Sequence, residues 1–289
     1  MSSMVDFLII GKQRDLHVSK VASLVEKSGH SLVVMDPTSR FPVRINATNS
    51  GNIMIEINDE QIDEAKVIWH PTKLASSANE NNRTDFYETA ITSEWNRFCT
   101  EVCYQLPGKI VNERAAEQAN DCDQDEIFDL ADQLGFMTLP RTAAAPALDP
   151  RLMSGPNVIT LNDYKPMTVD DIDGVSHVRV LQVGDETHAY KLTDRTQDTD
   201  DTGEDNWKTD AQGPEITSFP LDIVIEQRLK QILARQTLDY ATFDLIIDSD
   251  GAYWFINCKP DYPWTWLDHG HEDEIAETFA NYFNKLLAP

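Results

Sequence analysis

The chain has 289 residues, enough to bury a sizeable core and to form two domains or one large α/β unit. Its 49 acidic residues outnumber 24 basic ones, for a formal net charge of -25 and an isoelectric point near 4.4. Nucleic-acid backbones and anionic membrane surfaces are held through clustered Lys and Arg, so this balance excludes both as natural partners. The acidity fits solubility or a salty habitat, or else a basic peptide partner. Cys99, Cys103, Cys122 and Cys258 show no CxxC or Cys/His zinc spacing and read as reduced core thiols. No charged-then-apolar signal segment opens the chain, and no apolar run approaches the roughly 18 residues of a membrane span. A cytoplasmic protein is expected, and the Asn-x-Thr triplets at Asn46 and Asn82 then carry no glycan.

In chain order, 7–10 is a short buried-strand pattern. Val18, Val21, Ala22 and Val25 recur at helical spacing, and Gly29 stands at the C-terminal cap. With a second strand over 31–35 this predicts a β-α-β opening with a right-handed parallel crossover. A lone Gly11 is no dinucleotide fingerprint. Strands are expected at 52–57, where Ile53, Ile55 and Ile57 alternate, and at 67–69, leading into His70-Pro71. The segment 74–85 is polar and loop-like. A helix follows over 86–105, then a strand over 109–111 ending at Asn112.

Residues 114–125 lack periodicity. Ile127, Phe128, Ala131 and Leu134 then make a short amphipathic helix closed by Gly135. From 143 to 176 only 158–161 has a strand pattern. A hairpin is expected over 176–192, turning at Gly184-Asp185. Residues 193–210 hold seven acids, two bases and one aromatic, Trp207, which reads as a mobile loop or a segment that orders on binding. The stripe Leu221, Val224, Ile225, Leu229, Ile232 marks one helix, and Ile275, Phe279, Phe283, Leu286 the last.

Between those two helices, 243–247 and 252–258 are apolar runs around Asp248-Ser249-Asp250-Gly251, the signature of a hairpin. Strict alternation places Tyr253, Phe255, Asn257 and Lys259 on one face and Trp254, Ile256 and Cys258 on the other. Asp244 interrupts an otherwise apolar strand. A buried carboxylate there needs a partner, a metal or solvent.

Three stretches in this order resemble the ATP-grasp superfamily, and within it the ligases that macrocyclise ribosomal peptides of the microviridin (graspetide) type. The first is Asn112 with Leu134-Gly-Phe-Met-Thr-Leu-Pro140-Arg-Thr142. The second is Val178-Arg179-Val180-Leu-Gln-Val-Gly184. The third is the 238–267 stretch, where the family has Asp-Leu, an Asp-Gly turn and Phe-Leu-Glu-Val-Asn-Pro. Trp69-His70-Pro71 looks like that subfamily's Trp-x-Arg-Arg-Pro, and Asn206-Trp207-Lys208 like its Asp-Trp-Arg, both associated with the peptide. The resemblance implies an α/β, ATP-grasp-like fold. Its parts would be an N-terminal α/β pre-domain (1–112), a reduced central lid region (113–175) and a C-terminal α+β domain (176–289). It also implies ATP and Mg²⁺ as cofactors of an active member, and a precursor peptide as substrate. Such an enzyme makes an acyl phosphate that a hydroxyl or amine then attacks, so the protein mainly positions groups and neutralises phosphate charge.

By the same resemblance Asp244 is a Mg²⁺ ligand, Arg179 touches the reacting phosphate, and Lys165 is the phosphate lysine. From the residues alone, Arg179 could equally pair with an acid across the sheet, and Lys165 be an exposed loop lysine. The departures are at the metal positions. Where the family has Glu and Asn, this chain has Asn257 and Lys259. An amide oxygen is an uncharged ligand, and an ammonium cannot ligate Mg²⁺. A cation beside Lys259 would be repelled by a few kcal/mol at an effective dielectric of about 20. Lys259 could instead contact a phosphate, or pair with Asp244 in place of metal. The lid region is short as well, with 35 residues between Thr142 and Val178.

Trp254, Trp264 and Trp266 read as packing rather than ligand stacking, and His269 and His271 as capping and solvated charge rather than a metal site. Two functions fit the pattern. One is a degenerate homologue, with no cofactor of its own, acting as a peptide-binding or partner subunit that forms a homo- or hetero-dimer with an ATP-grasp paralogue. The other is an active ligase forming ester or amide crosslinks through altered metal coordination. A stand-alone peptide-binding protein of unrelated descent is a third.

Overall fold

A computed structural model describes residues 4–36, 43–47, 53–57, 60–71, 86–113, 124–139, 172, 176–193, 215–260, 264–265, 267 and 273–288. The segment expected as a strand (158–161) and residues 194–210 of the expected loop lie outside them. So do Cys122, Lys165, Asn206, Trp207, Lys208, Trp266, His269 and His271.

The opening β-α-β unit forms as its periodicity predicts. Strand β1 (Met4–Ile10) pairs in parallel with β2 (Leu32–Met35), with helix α1 (Leu16–Lys27) between them. Strands β6 (Glu64–Trp69) and β7 (Lys109–Val111) extend a parallel sheet of order β2-β1-β6-β7. Strand β1 is apolar and buried from Phe7 to Ile10 because helices cover both faces there. Phe7 and Ile9 meet Val18, Val21 and Val25 of α1 in one core. Leu8 and Ile10 join Cys99, Val102 and Cys103 of α2 (Phe86–Gln105) in another. Cys99, Cys103 and Cys258 are buried in the core as thiols, as expected. A small sheet, β3 (Val43–Ala47), β4 (Ile53–Ile57) and β5 (Glu60–Ile62), puts Ile55, Ile57 and Ile62 into that second core.

Asp6 ties the parallel sheet together at one end. One carboxylate oxygen lies 2.8 Å from Lys66 Nζ, and the other accepts from the Ser31 amide and hydroxyl, each at 3.0 Å. The Lys66 contact, then the Ser31 amide, hold its carboxyl down at about 2. A depressed folded-state value stabilises the protein above the ordinary carboxylate range and loses that contribution as pH falls through it. Asp6→Asn is therefore expected to cost about 1–2 kcal/mol at pH 6, allowing for partial solvent screening, and about half as much at pH 3. Urea unfolding of both proteins at the two pH values checks this, and a pH-independent difference would contradict it.

The second sheet has order β11-β10-β9-β12-β13-β8, from β8 (Met137–Thr138), β9 (Ser176–Val183), β10 (Glu186–Thr193), β11 (Glu215–Ser218), β12 (Tyr240–Ile247) and β13 (Tyr253–Lys259). All its pairs are antiparallel except β13 with β8. Helices α3 (Gln124–Gln133) and α4 (Ile223–Arg235) cover one face, over Val178, Val180, Phe243, Leu245, Phe255 and Cys258. Thus 124–138, within the span read as lid, packs on the C-terminal sheet. Helix α4 starts at Ile223, not at Leu221, because the Asp222 side chain accepts from the Val224 amide as N-cap.

Helix α5 (Glu274–Leu287) lies between the two sheets. Phe279 and Phe283 meet Phe7, Val21 and Trp69 on one side, and Leu181, Val183 and Tyr240 on the other. The N- and C-terminal sheets therefore share one apolar core. No helix among the described residues is long and apolar enough to cross a membrane.

Candidate functional site

The hairpin β12–β13 is the strand pair expected from its two apolar runs. Asp248 accepts from Trp254 Nε1 (2.8 Å) and from the amides of Ala252 (2.8 Å) and Asp250 (3.0 Å), and these bonds, the Trp254 one foremost, lower its carboxyl below the ordinary value. Gly251, with φ 81, takes the left-handed position that the turn requires.

Strict alternation along β13 is not observed. Asp244 pairs with Asn257 while the next residue, Leu245, pairs with Phe255, so a bulge intervenes and Ile256 is the extra residue. Phe255 and Cys258 both enter the core under α3 and α4. Asn257 is thereby separated from Phe255 and shares the face of Asp244. Trp254 and Ile256 pack with Ile172 and Ile246 on that face too. A one-residue bulge reverses every later side chain, and nothing in the apolar pattern announces it.

The result is one polar row across four strands: Tyr190, Arg179, Asp244 and Asn257 are successive register partners. Lys259 is opposite Thr242, two residues further along the same face, and is exposed. On one side of the row lies the core of Leu181, Tyr240 and Phe279, and on the other the small cluster around Trp254.

Asp244 finds its partner in Arg179. The guanidinium Nε donates to Asp244 Oδ1 at 2.6 Å, with side-chain exposures of 7% and 26%. Of the alternatives left open by the sequence, Arg179 takes the pairing across the sheet. A charged pair this sheltered persists only with close, hydrogen-bonded geometry.

Of the residues expected at the peptide, Trp69 and His70 are described, and both are buried. Trp69 is 1% exposed, with its ring 5.6 Å from Phe279 and 5.2 Å from Phe283. Its indole is spent on the core between the sheets, which corrects the expectation of a ligand-facing tryptophan. His70, next in the chain, is also buried. Trp264 stacks on Phe279 at 5.1 Å, as the packing reading held. His17 went unnoticed in the sequence. Its Nδ1 is 2.7 Å from Asp15 Oδ1 and its Nε2 accepts from the amides of Trp264 (2.9 Å) and Thr265 (3.3 Å). These bonds fasten 264–265 to α1. The only signal was Asp-x-His at a helix start.

No family model matches the chain, and no curated protein matches it. Solved structures do, over its whole length. The macrocyclase MdnC bound with precursor peptide MdnA from Microcystis aeruginosa MRC has a TM-score of 0.69 at 16% identity, covering 99% of this chain and 100% of that one. A Chryseobacterium gregarium RiPP-associated ATP-grasp ligase, in complex with ADP and a leader and core peptide, gives 0.71 at 16%, covering 100% and 98%. The ATP-grasp ligase PsnB, complexed with minimal precursor, Mg and ADP, gives 0.67 at 14%, covering 99% of each. The fold is thus the α/β fold of ATP-grasp ligases, and the chain resembles the peptide-modifying members among them.

The fold's metal can be tested against the residues of the row. Mg²⁺ takes hard oxygen ligands, commonly one or two carboxylates with phosphates and water. The row offers a single carboxylate, already at 2.6 Å from a guanidinium, together with a neutral amide and an ammonium. Among the described residues no group of three or more His, Cys, Asp or Glu could hold a metal ion. The donor set does not fit a divalent cation held by protein carboxylates.

Proposed function

We propose that this protein is a degenerate ATP-grasp homologue that serves as a peptide-binding or partner subunit in ribosomal peptide modification, beside an active ligase. The observation that carries this reading is the row itself. Asp244 is closed by Arg179, and the two positions that would complete a metal site are Asn257 and Lys259. Metal-bridged phosphate chemistry needs fixed anionic ligands to hold the cation, and this row has net positive charge instead. The peptide part is supported by the likeness to MdnC and the Chryseobacterium ligase, both crystallised with peptides. An acidic chain of net charge -25 also suits basic peptide segments. On this reading Trp207 with Asn206 and Lys208 supplies the peptide contact, the active subunit supplies ATP and Mg²⁺, the two form a dimer, and the setting is the cytoplasm.

A second reading is an active ATP-dependent ligase forming ester or amide crosslinks, with Arg179 at the phosphate and Lys165 and Lys259 replacing part of the metal's charge. What favours it is that Arg179 and Asp244 stand side by side in register. Affinity purification of the tagged protein from its native cell separates the two. The partner role predicts a second ATP-grasp chain in stoichiometric amount. Recovery of a homogeneous monomer that crosslinks a peptide without it would overturn that role.

A further inference from the structure

Two of the four strands that carry the row, β12 and β13, are held together at one end by a residue that follows β7. Asn112 directly follows β7, is 2% exposed and has φ 35, a left-handed backbone that Asn adopts more readily than most residues. Its side-chain amide donates to the Tyr240 carbonyl at 2.9 Å and the Pro260 carbonyl at 3.3 Å. Its side-chain oxygen accepts from the amides of Asp239 at 2.7 Å and Tyr240 at 3.1 Å. Tyr240 begins β12, which carries Asp244. Pro260 follows Lys259, the last residue of β13. One carboxamide thus bridges the paired ends of both strands, immediately beside Lys259.

Asp239 closes the link from the other side. Its carboxylate accepts from the Asn112 amide at 3.1 Å, from Lys109 Nζ at 3.1 Å and from the Tyr282 hydroxyl at 2.6 Å. Asp239 is 8% exposed, so these bonds are sheltered from water. Burial, then the Asp239 carboxylate, push the Tyr282 phenol well above its ordinary value and keep it a donor at any working pH. On the N-terminal side, Val111 pairs with Trp69, and Trp69 Nε1 donates to the Tyr240 hydroxyl at 3.4 Å. The C-terminal ends of β6 and β7 are therefore joined to the start of β12 through both neighbours.

We propose that Asn112 is a positioning residue through which the N-terminal domain sets the spacing of the strands bearing Asp244, Asn257 and Lys259. This rests on the reading of the row as the functional site. A displacement of the ends of β6 and β7 reaches the strand ends beside Lys259 through the Asn112 carboxamide, with the Asp239 and Trp69 bonds beside it. The helices on the opposite face are not in the path.

Amide hydrogen exchange on the full chain tests the link without any ligand, so its outcome is independent of whether the row binds peptide or nucleotide. Asn112→Gly keeps the backbone conformation accessible and removes the carboxamide. At least a tenfold loss of protection is expected in peptides covering 239–242 and 257–260, with β1 and α4 changing less than twofold. Tyr282→Phe, which removes one bond to Asp239 and leaves Asn112 intact, is expected to give a two- to fivefold loss in the same peptides. It serves as the test if Asn112→Gly does not fold. Unchanged protection at those strand ends, or an equal loss throughout the chain, would overturn the proposal.

Discussion

Asp244→Ala is expected to destabilise the protein by about 3 kcal/mol, the low end of what breaking a buried pair costs. The substitution takes from Arg179, 6% exposed, its counter-charge at 2.6 Å, in a row bounded by apolar clusters on both sides. The low end applies because the Asp244 side chain retains 26% exposure. Replacing both members, Asp244→Leu with Arg179→Met, is expected to recover most of the loss, since no charge is then left behind. Chemical denaturation of Asp244→Leu, Arg179→Met and the double measures the coupling. A cost under about 1 kcal/mol for Asp244→Ala would mean that water, not Arg179, satisfies the carboxylate.

Phe279→Ala is expected to cost about 4 kcal/mol, as large cavities in buried aromatic cores do. Phe279 is fully buried and its ring lies within 4.9 to 5.6 Å of those of Tyr240, Trp264 and Trp69. Because this core belongs to both sheets, the loss should appear as one cooperative transition shifted to lower denaturant, with probes in either half moving together. Two separated transitions would show that the sheets do not share their stability.

Much of this was legible in the amino-acid order, and the failures have physical causes. The parallel opening, the two long hairpins and the last helix follow from runs such as Phe7 to Ile10 and Ile275 to Phe283, where burial on a fixed period leaves a strong signal. Strands β3, β5, β8 and β11 were missed because they are short edge or connecting pieces whose pairing is decided by partners far along the chain. Asp244 stood out as a charge in an apolar strand, but its partner Arg179 is 65 residues away and only the register joins them. The bulge at Ile256 was invisible. It costs nothing in composition, yet it decides that Asn257 rather than Phe255 faces the site. Trp69 shows the converse. A motif-like position suggested a ligand, and the need to fill the space between two sheets claimed the side chain.

Under the proposed function, the row at Arg179, Asp244, Asn257 and Lys259 assembles no metal-nucleotide site in the isolated chain. Calorimetric titration of the purified protein with ATP and excess Mg²⁺ addresses it most directly. No sub-millimolar, Mg²⁺-dependent binding is expected. Heat that fits such binding, and that disappears on adding a chelator, would contradict it.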